Sequence, residues 1–302
     1  MKVLFQQFCH LLYYFRSWLL FRFLPILYFI QIPFYALAQS DKPIAPAFFG
    51  PNAFKVPEIH FGKTSEDFLY EFGSSLYKTQ DFSLTEDFNA DVFFKLTAPL
   101  FSKRVNLTIY GEAMDIYENS VEANSIRGLS VPTKGHEFGE IYIGTEIWLL
   151  SQENNNVNIT MRSVLKSAAG GSAVKRRYYD SPGYFFDLIV GKEYMISDKA
   201  FVNLAATSGF LCWQTSLCGQ NDAVMYGLAA NCRVNDVELK AHWGGYVGWR
   251  KENDCPMTLR ADFLLHRKFC DFRLHYQKGL IDWPYSQIAL SLITHFGKSF
   301  NK

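Results

Sequence analysis

The sequence predicts an all-β fold: an antiparallel, up-and-down transmembrane β-barrel of about 12 strands, apolar on its outer face. Three observations lead there. Strand-length stretches place apolar side chains at every second position, as in Val105-Asn106-Leu107-Thr108-Ile109-Tyr110 and Glu238-Leu239-Lys240-Ala241-His242-Trp243. That period of two separates an apolar face from a polar one. The links between these stretches are tight and long by turns. Finally, aromatic residues make up 17% of the 302 residues while mean hydropathy is close to zero. A barrel that is apolar on one face and girdled by rings has that composition.

The elements follow in order. Residues 1–38 read as a secretory signal peptide that is removed: Lys2, Arg16 and Arg22 supply positive charge, Phe23 to Tyr35 is apolar, and Ala36-Leu37-Ala38 is an A-x-A cleavage site. Residues 39–66, with Pro43, Pro46, Pro51 and Pro57, read as an extended periplasmic leader, 67–297 as the barrel and 298–302 as a short C-terminal tail. Strands are expected at 67–78, 87–98, 104–116, 138–150, 157–167, 183–194, 200–213, 223–234, 237–249, 257–267, 270–280 and 285–297. Pro99–Lys103, Glu153–Asn156, Ser197–Lys199, Asn235-Asp236 and Arg267–Phe269 form the tight turns. Asn and Asp tolerate the positive φ angles that two-residue hairpins need. Longer polar links fall at 117–137, 168–182, 214–222 and 250–256. Short turns at one end and long loops at the other are the pattern of an outer-membrane barrel, and an even strand count puts both ends of the barrel on the short-turn, periplasmic side.

Charge on the outer face at mid-bilayer depth costs about 2–4 kcal/mol for Lys or Arg, so the charges belong inside. The inward positions carry Asp91, Lys95, Glu112, Glu140, Glu146, Arg162, Lys166, Asp187 and Arg233. They continue with Glu238, Lys240, His242, Arg260, Asp262, His266, Arg273 and His275. Hairpin register pairs Glu146 with Arg162, Glu140 with Lys166, Arg233 with Glu238, Asp262 with His275, and His266 with Asp271. Such a lumen either selects solutes or is a salt-bridged plug, and 12 strands lie between filled and open barrels.

At the loops, Lys175-Arg176-Arg177-Tyr178 and Gln220-Asn221-Asp222 are rim binding candidates for an anionic head group or sugar. Trp213, Trp249, Tyr184, Phe185 and Trp283 are expected as an aromatic girdle at the long-loop end. Five cysteines follow the signal, and Cys212 and Cys218 flank one loop as a possible disulfide. Their spacings match no zinc site, and the histidines come from four different strands, so no metal or other cofactor is expected. No G-x-S-x-G, H-E-x-x-H or P-loop is present, so an enzyme is not the expected reading. Loss of the three basic residues of the signal leaves 27 Lys and Arg against 29 acids, which gives no electrostatic case for nucleic acid.

Several stretches resemble an uncharacterised, porin-like family of outer-membrane barrels of the Bacteroidota type. They are Tyr179–Asp187, Gly209–Thr215, Gln220–Gly227, Gly245–Trp249 and Tyr276–Leu280, and the resemblance covers about residues 178–297. It implies an outer-membrane location and contact with lipid and lipopolysaccharide after insertion by the barrel assembly machinery, but no activity. The C-terminus departs from the usual barrel ending on an aromatic residue: Phe296 closes the last strand and six residues trail it. The expected function is a narrow channel for small solutes. The alternative is a closed structural barrel that binds a partner or surface glycan through its long loops.

Overall fold

The computed structural model describes residues 52–79, 87–126, 130–171, 175, 177–178, 182–214, 222–248, 255–282 and 284–296. The signal segment 1–38, residues 39–51 and the tail 298–302 lie outside them.

Twelve strands close into an antiparallel barrel: β1 (Phe68–Thr79), β2 (Asp87–Pro99), β3 (Val105–Asn119), β5 (Ile141–Leu150), β6 (Asn158–Lys166), β7 (Gly183–Ser197), β8 (Ala200–Trp213), β9 (Asp222–Val234), β10 (Val237–Gly248), β11 (Met257–Leu265), β12 (Cys270–Ile281) and β13 (Tyr285–Phe296). Neighbours in sequence pair with each other, and β1 pairs with β13 from Phe68↔Phe296 to Thr79↔Tyr285 to shut the ring. A short strand within a predicted loop, β4 (Lys134–Glu137), adds to the end of β3. Helix is confined to α1 (Val121–Ile126) and the single turn α2 (Gln152–Asn155) among the described residues.

The local chemistry of the turns matches the sequence. Asn235 takes φ +55° in the two-residue link between β9 and β10, where Val234 and Val237 remain paired. Asn156 caps α2 in the left-handed region at φ 63°, as Asn does more readily than a branched residue.

Burial alternates along the strands. The outer face carries Phe72, Leu76, Ile143, Leu188, Leu228, Leu239, Leu259, Leu274, Ile288 and Leu290, all exposed. The inner face carries buried Asp91, Glu112, Glu146, Arg162, Lys166, Asp187, Glu238, His242 and Asp262. The strand wall is a water-soluble protein turned inside out: its outward positions are apolar and its inward ones carry buried charge.

The segment expected as a periplasmic leader lies inside the barrel over residues 52–66. At the long-link end, Phe54 meets Trp213, the last residue of β8, with ring centroids 6.4 Å apart, and the Tyr246 hydroxyl donates to the Phe54 carbonyl at 3.3 Å. At the short-turn end, the Thr64 hydroxyl donates to the Lys103 carbonyl at 2.7 Å. There the Asn106 amide also bridges both backbone groups of Ser65, at 2.7 and 3.0 Å. The segment therefore runs the length of the lumen before the chain turns back into β1.

The wall is shaped to receive it. Gly62 adopts φ +76°, and a Cβ there would come within 3.0 Å of the Gly191 nitrogen. Side chains at Gly191 and Gly227 would collide with the Phe61 carbonyl and the Ile59 side chain respectively. Ile59 packs in a small apolar cluster with Ile189, Ala205 and Ala229.

Candidate functional site

The lumen is the candidate site, and the seated segment divides its ionic groups into three regions. At the waist, Glu58 is the hub. Arg273 donates to it at 3.0 Å while also reaching Asp262 at 2.6 Å and Glu71 at 3.3 Å. Lys95 stands 3.4 Å from Glu58, and the Glu58 carbonyl accepts from Arg162 at 2.7 Å. Lys55 pairs with Glu112, His60 with Glu146 at 2.7 Å, and the Phe61 ring meets that of His242 at 5.7 Å. Beside the segment lies a cavity of about 180 Å³ whose lining includes Glu58, Glu71, Asp91, Tyr110, Arg260 and Gln277.

Around the wall, Arg162 grips Asp187 with two bonds of 2.9 and 2.7 Å, and Lys166 pairs with Glu140 at 2.6 Å. Asp262 accepts from His275 at 2.8 Å, with His242 3.4 Å away. Asp91 accepts from Asn52 at 2.8 Å and Ser75 at 3.0 Å. Towards the short-turn rim, Glu238 takes the Asn231 amide at 2.7 Å and lies 3.3 Å from Lys240. His266 bridges Glu238 and Asp271, both at 2.8 Å, and His295 also reaches Asp271 at 2.9 Å. Bonds to Asp271 and Glu238 raise the His266 pKa. The four histidines thus sort into pairs on two carboxylates, and among the described residues no three groups are arranged to hold a metal.

Register pairing holds in part. Glu140–Lys166, Asp262–His275 and His266–Asp271 are in contact. Glu146 and Arg162 face each other across β5 and β6, but each has a better partner: Asp187 offers Arg162 both oxygens, and His60 of the lumen segment takes Glu146. Arg233 and Glu238 are likewise opposite, yet Arg233 turns to the Asn235 carbonyl at 3.1 Å.

The loop candidates need a larger correction. Arg177 and Tyr178 are fully buried instead of facing solvent at the rim. The Arg177 guanidinium donates to both Asp87 oxygens at 2.8 Å and to the Tyr77 hydroxyl, lies 3.7 Å from Asp115, and rests 4.9 Å from the Tyr117 ring. A cation with two carboxylates and two rings within reach folds inward because the wall there is acidic. Lys175 pairs with Glu137 on β4. Arg176, Gln220, Asn221 and Cys218 lie outside the described residues, so the Cys212–Cys218 pairing does too; Asp222 opens β9 with its side chain exposed. Of the expected girdle, Trp249 and Trp283 also lie outside them. Trp213 and Phe185 are buried and pack on the lumen side with Phe54. Tyr184 stays on the outer wall, its ring 6.3 Å from that of Phe210. Adjacent residues of one strand cannot share a face.

Sequence reading missed Lys55, Glu58 and His60 as lumen groups, and Asp87 and Asp115 as partners of Arg177. A signal was present for the first three. Phe54, Val56, Ile59 and Phe61 interleave with those charges, and a chain free in water gains nothing from that pattern.

The sequence matches no known protein family, and no curated protein matches it. Solved structures do match in fold. An outer-membrane channel from Pseudomonas putida F1 aligns over 80% of this chain and 100% of its own length, with a TM-score of 0.57 at 10% identity. The NanC porin aligns over 76% of this chain and 100% of its own, with a TM-score of 0.50 at 6% identity. At these identities the likeness is one of fold: the chain is built as outer-membrane channels and porins are.

Proposed function

We propose that the protein is an outer-membrane channel for small solutes whose bore is narrowed by residues 52–66. The observation that carries this is the charged lumen beside a seated but separate segment: the segment is held by ion pairs and hydrogen bonds and leaves a cavity along one wall. An apolar exterior with a polar interior suits a barrel immersed in lipid. On this reading residues 1–38 direct export, the barrel assembly machinery inserts the chain, and lipid and lipopolysaccharide surround it, as in the porin-like family its sequence resembles. The fully buried Arg177 network favours a second reading, a closed structural barrel that meets a partner or glycan through its long loops.

Planar-bilayer recording separates the two. The channel reading expects small conductance steps from the native protein and larger ones after deletion of residues 52–64. Absence of steps from both proteins, each folded by heat-modifiable gel migration, leaves the closed barrel as the answer.

A further inference from the structure

The arginines of the lumen are not equivalent. Arg162 is matched by Asp187, Arg177 by Asp87 and Asp115, and Arg273 by Asp262, Glu58 and Glu71. Arg260, on β11, stands apart among the arginines that line the cavity. One of its terminal N–H groups donates to the Val56 carbonyl of the lumen segment, its Nε is buried with no acceptor, and among the described residues no carboxylate lies within ion-pair distance of it. It opens onto the cavity of about 180 Å³ beside Gln277, Tyr285 and Gln287.

The carboxylates that share this cavity are already engaged. Glu58 and Glu71 face Arg273, Glu112 faces Lys55, Glu146 faces His60, and Asp91 accepts from Asn52 and Ser75. A half-buried guanidinium whose Nε is buried without an acceptor is costly. A neutral solute leaves that cost in place, whereas a carboxylate removes it and presents two coplanar oxygens to a planar fork of donors.

We infer that the cavity is a binding site for a small organic carboxylate, anchored by Arg260. This deepens the channel reading by naming a solute class, and it makes Arg260 a specificity-determining residue. Because the same guanidinium holds the Val56 carbonyl, a bound carboxylate sits against the segment that narrows the bore.

Isothermal titration of the purified full-length protein in detergent tests it, with acetate, inorganic phosphate and glucose as probes. Acetate binding is expected for the native protein, weakened about tenfold or more in Arg260→Gln, the loss expected of one charge-assisted contact. Arg260→Lys keeps the charge but loses the fork, so it falls between the two and carries the test if Arg260→Gln does not fold. Equal acetate binding by native and variant proteins overturns the proposal, as does no acetate binding by the native protein. Phosphate binding in place of acetate overturns the carboxylate assignment. Titration in detergent requires no flux, so a barrel that binds acetate but never conducts fails the channel reading alone.

Discussion

The long-link end and the waist of the lumen solve the same problem in opposite ways. Near the long links, Arg177 is sealed among Asp87, Asp115, Tyr77 and Tyr117 with no exposed surface. At the waist, Arg273 and Glu58 meet beside a cavity, and Glu58 belongs to a segment that is not part of the wall. A sealed cluster ties β1, β2, β3 and the β6–β7 link together and has no room for a solute. A cluster open to a cavity, with one half on a separate segment, can be rearranged. The difference teaches that buried charge in one barrel serves as a clamp where carboxylates enclose the cation, and as a site where the cation faces a cavity.

The largest expected effect breaks the clamp. Arg177→Met leaves Asp87 and Asp115 enclosed without their cation, a loss of about 3–5 kcal/mol. It is read as a lower temperature for the shift from folded to unfolded migration on a gel. Next comes Gly191→Val, which collides with the Phe61 carbonyl and costs about 1–3 kcal/mol through overpacking. Its signature is selective: residues 52–66 become susceptible to protease while the barrel keeps its folded migration. Equal loss of both would mean that segment and wall are one cooperative unit, and would erase the contrast drawn above.

The smallest effect belongs to the exposed Arg267–Asp236 pair, 3.1 Å apart. Asp236→Asn is expected to change stability by less than about 1 kcal/mol in the same gel assay.

The barrel was legible because each barrel strand repeats one signal, alternation, over nine to fifteen residues, and the turns carry Asn or Asp at positive φ at Asn156, Asn235 and Asp282, with Phe101 the exception among the described residues. β4 escaped because four residues with a central glycine, Lys134-Gly135-His136-Glu137, show no alternation of apolar side chains. The lumen segment escaped for a different reason. Pro57 breaks its period, so Phe54, Val56, Ile59 and Phe61 never form one strand face, and proline-rich chain reads as a leader. Arg177 was the hardest. Lys175-Arg176-Arg177 looks like a solvated patch, and its partner Asp87 is 90 residues away. Nothing local distinguishes a cation bound for solvent from one that closes a buried network. Phe185 and Trp213 show that parity within a strand, taken strictly, outranks the habit of placing rings at an interface.

Everything distinctive about this barrel depends on residues 52–66 lying inside it, and a zero-length cross-link tests that placement directly. Lys95 on β2 and Glu58 on the segment stand 3.4 Å apart. Treatment of the native protein with a water-soluble carbodiimide is expected to join them as an amide, identified by mass spectrometry of the joined peptides, in protein that retains folded migration. Folded protein in which no such link forms, and in which residues 52–66 are cleaved by added protease, would place the segment outside the barrel.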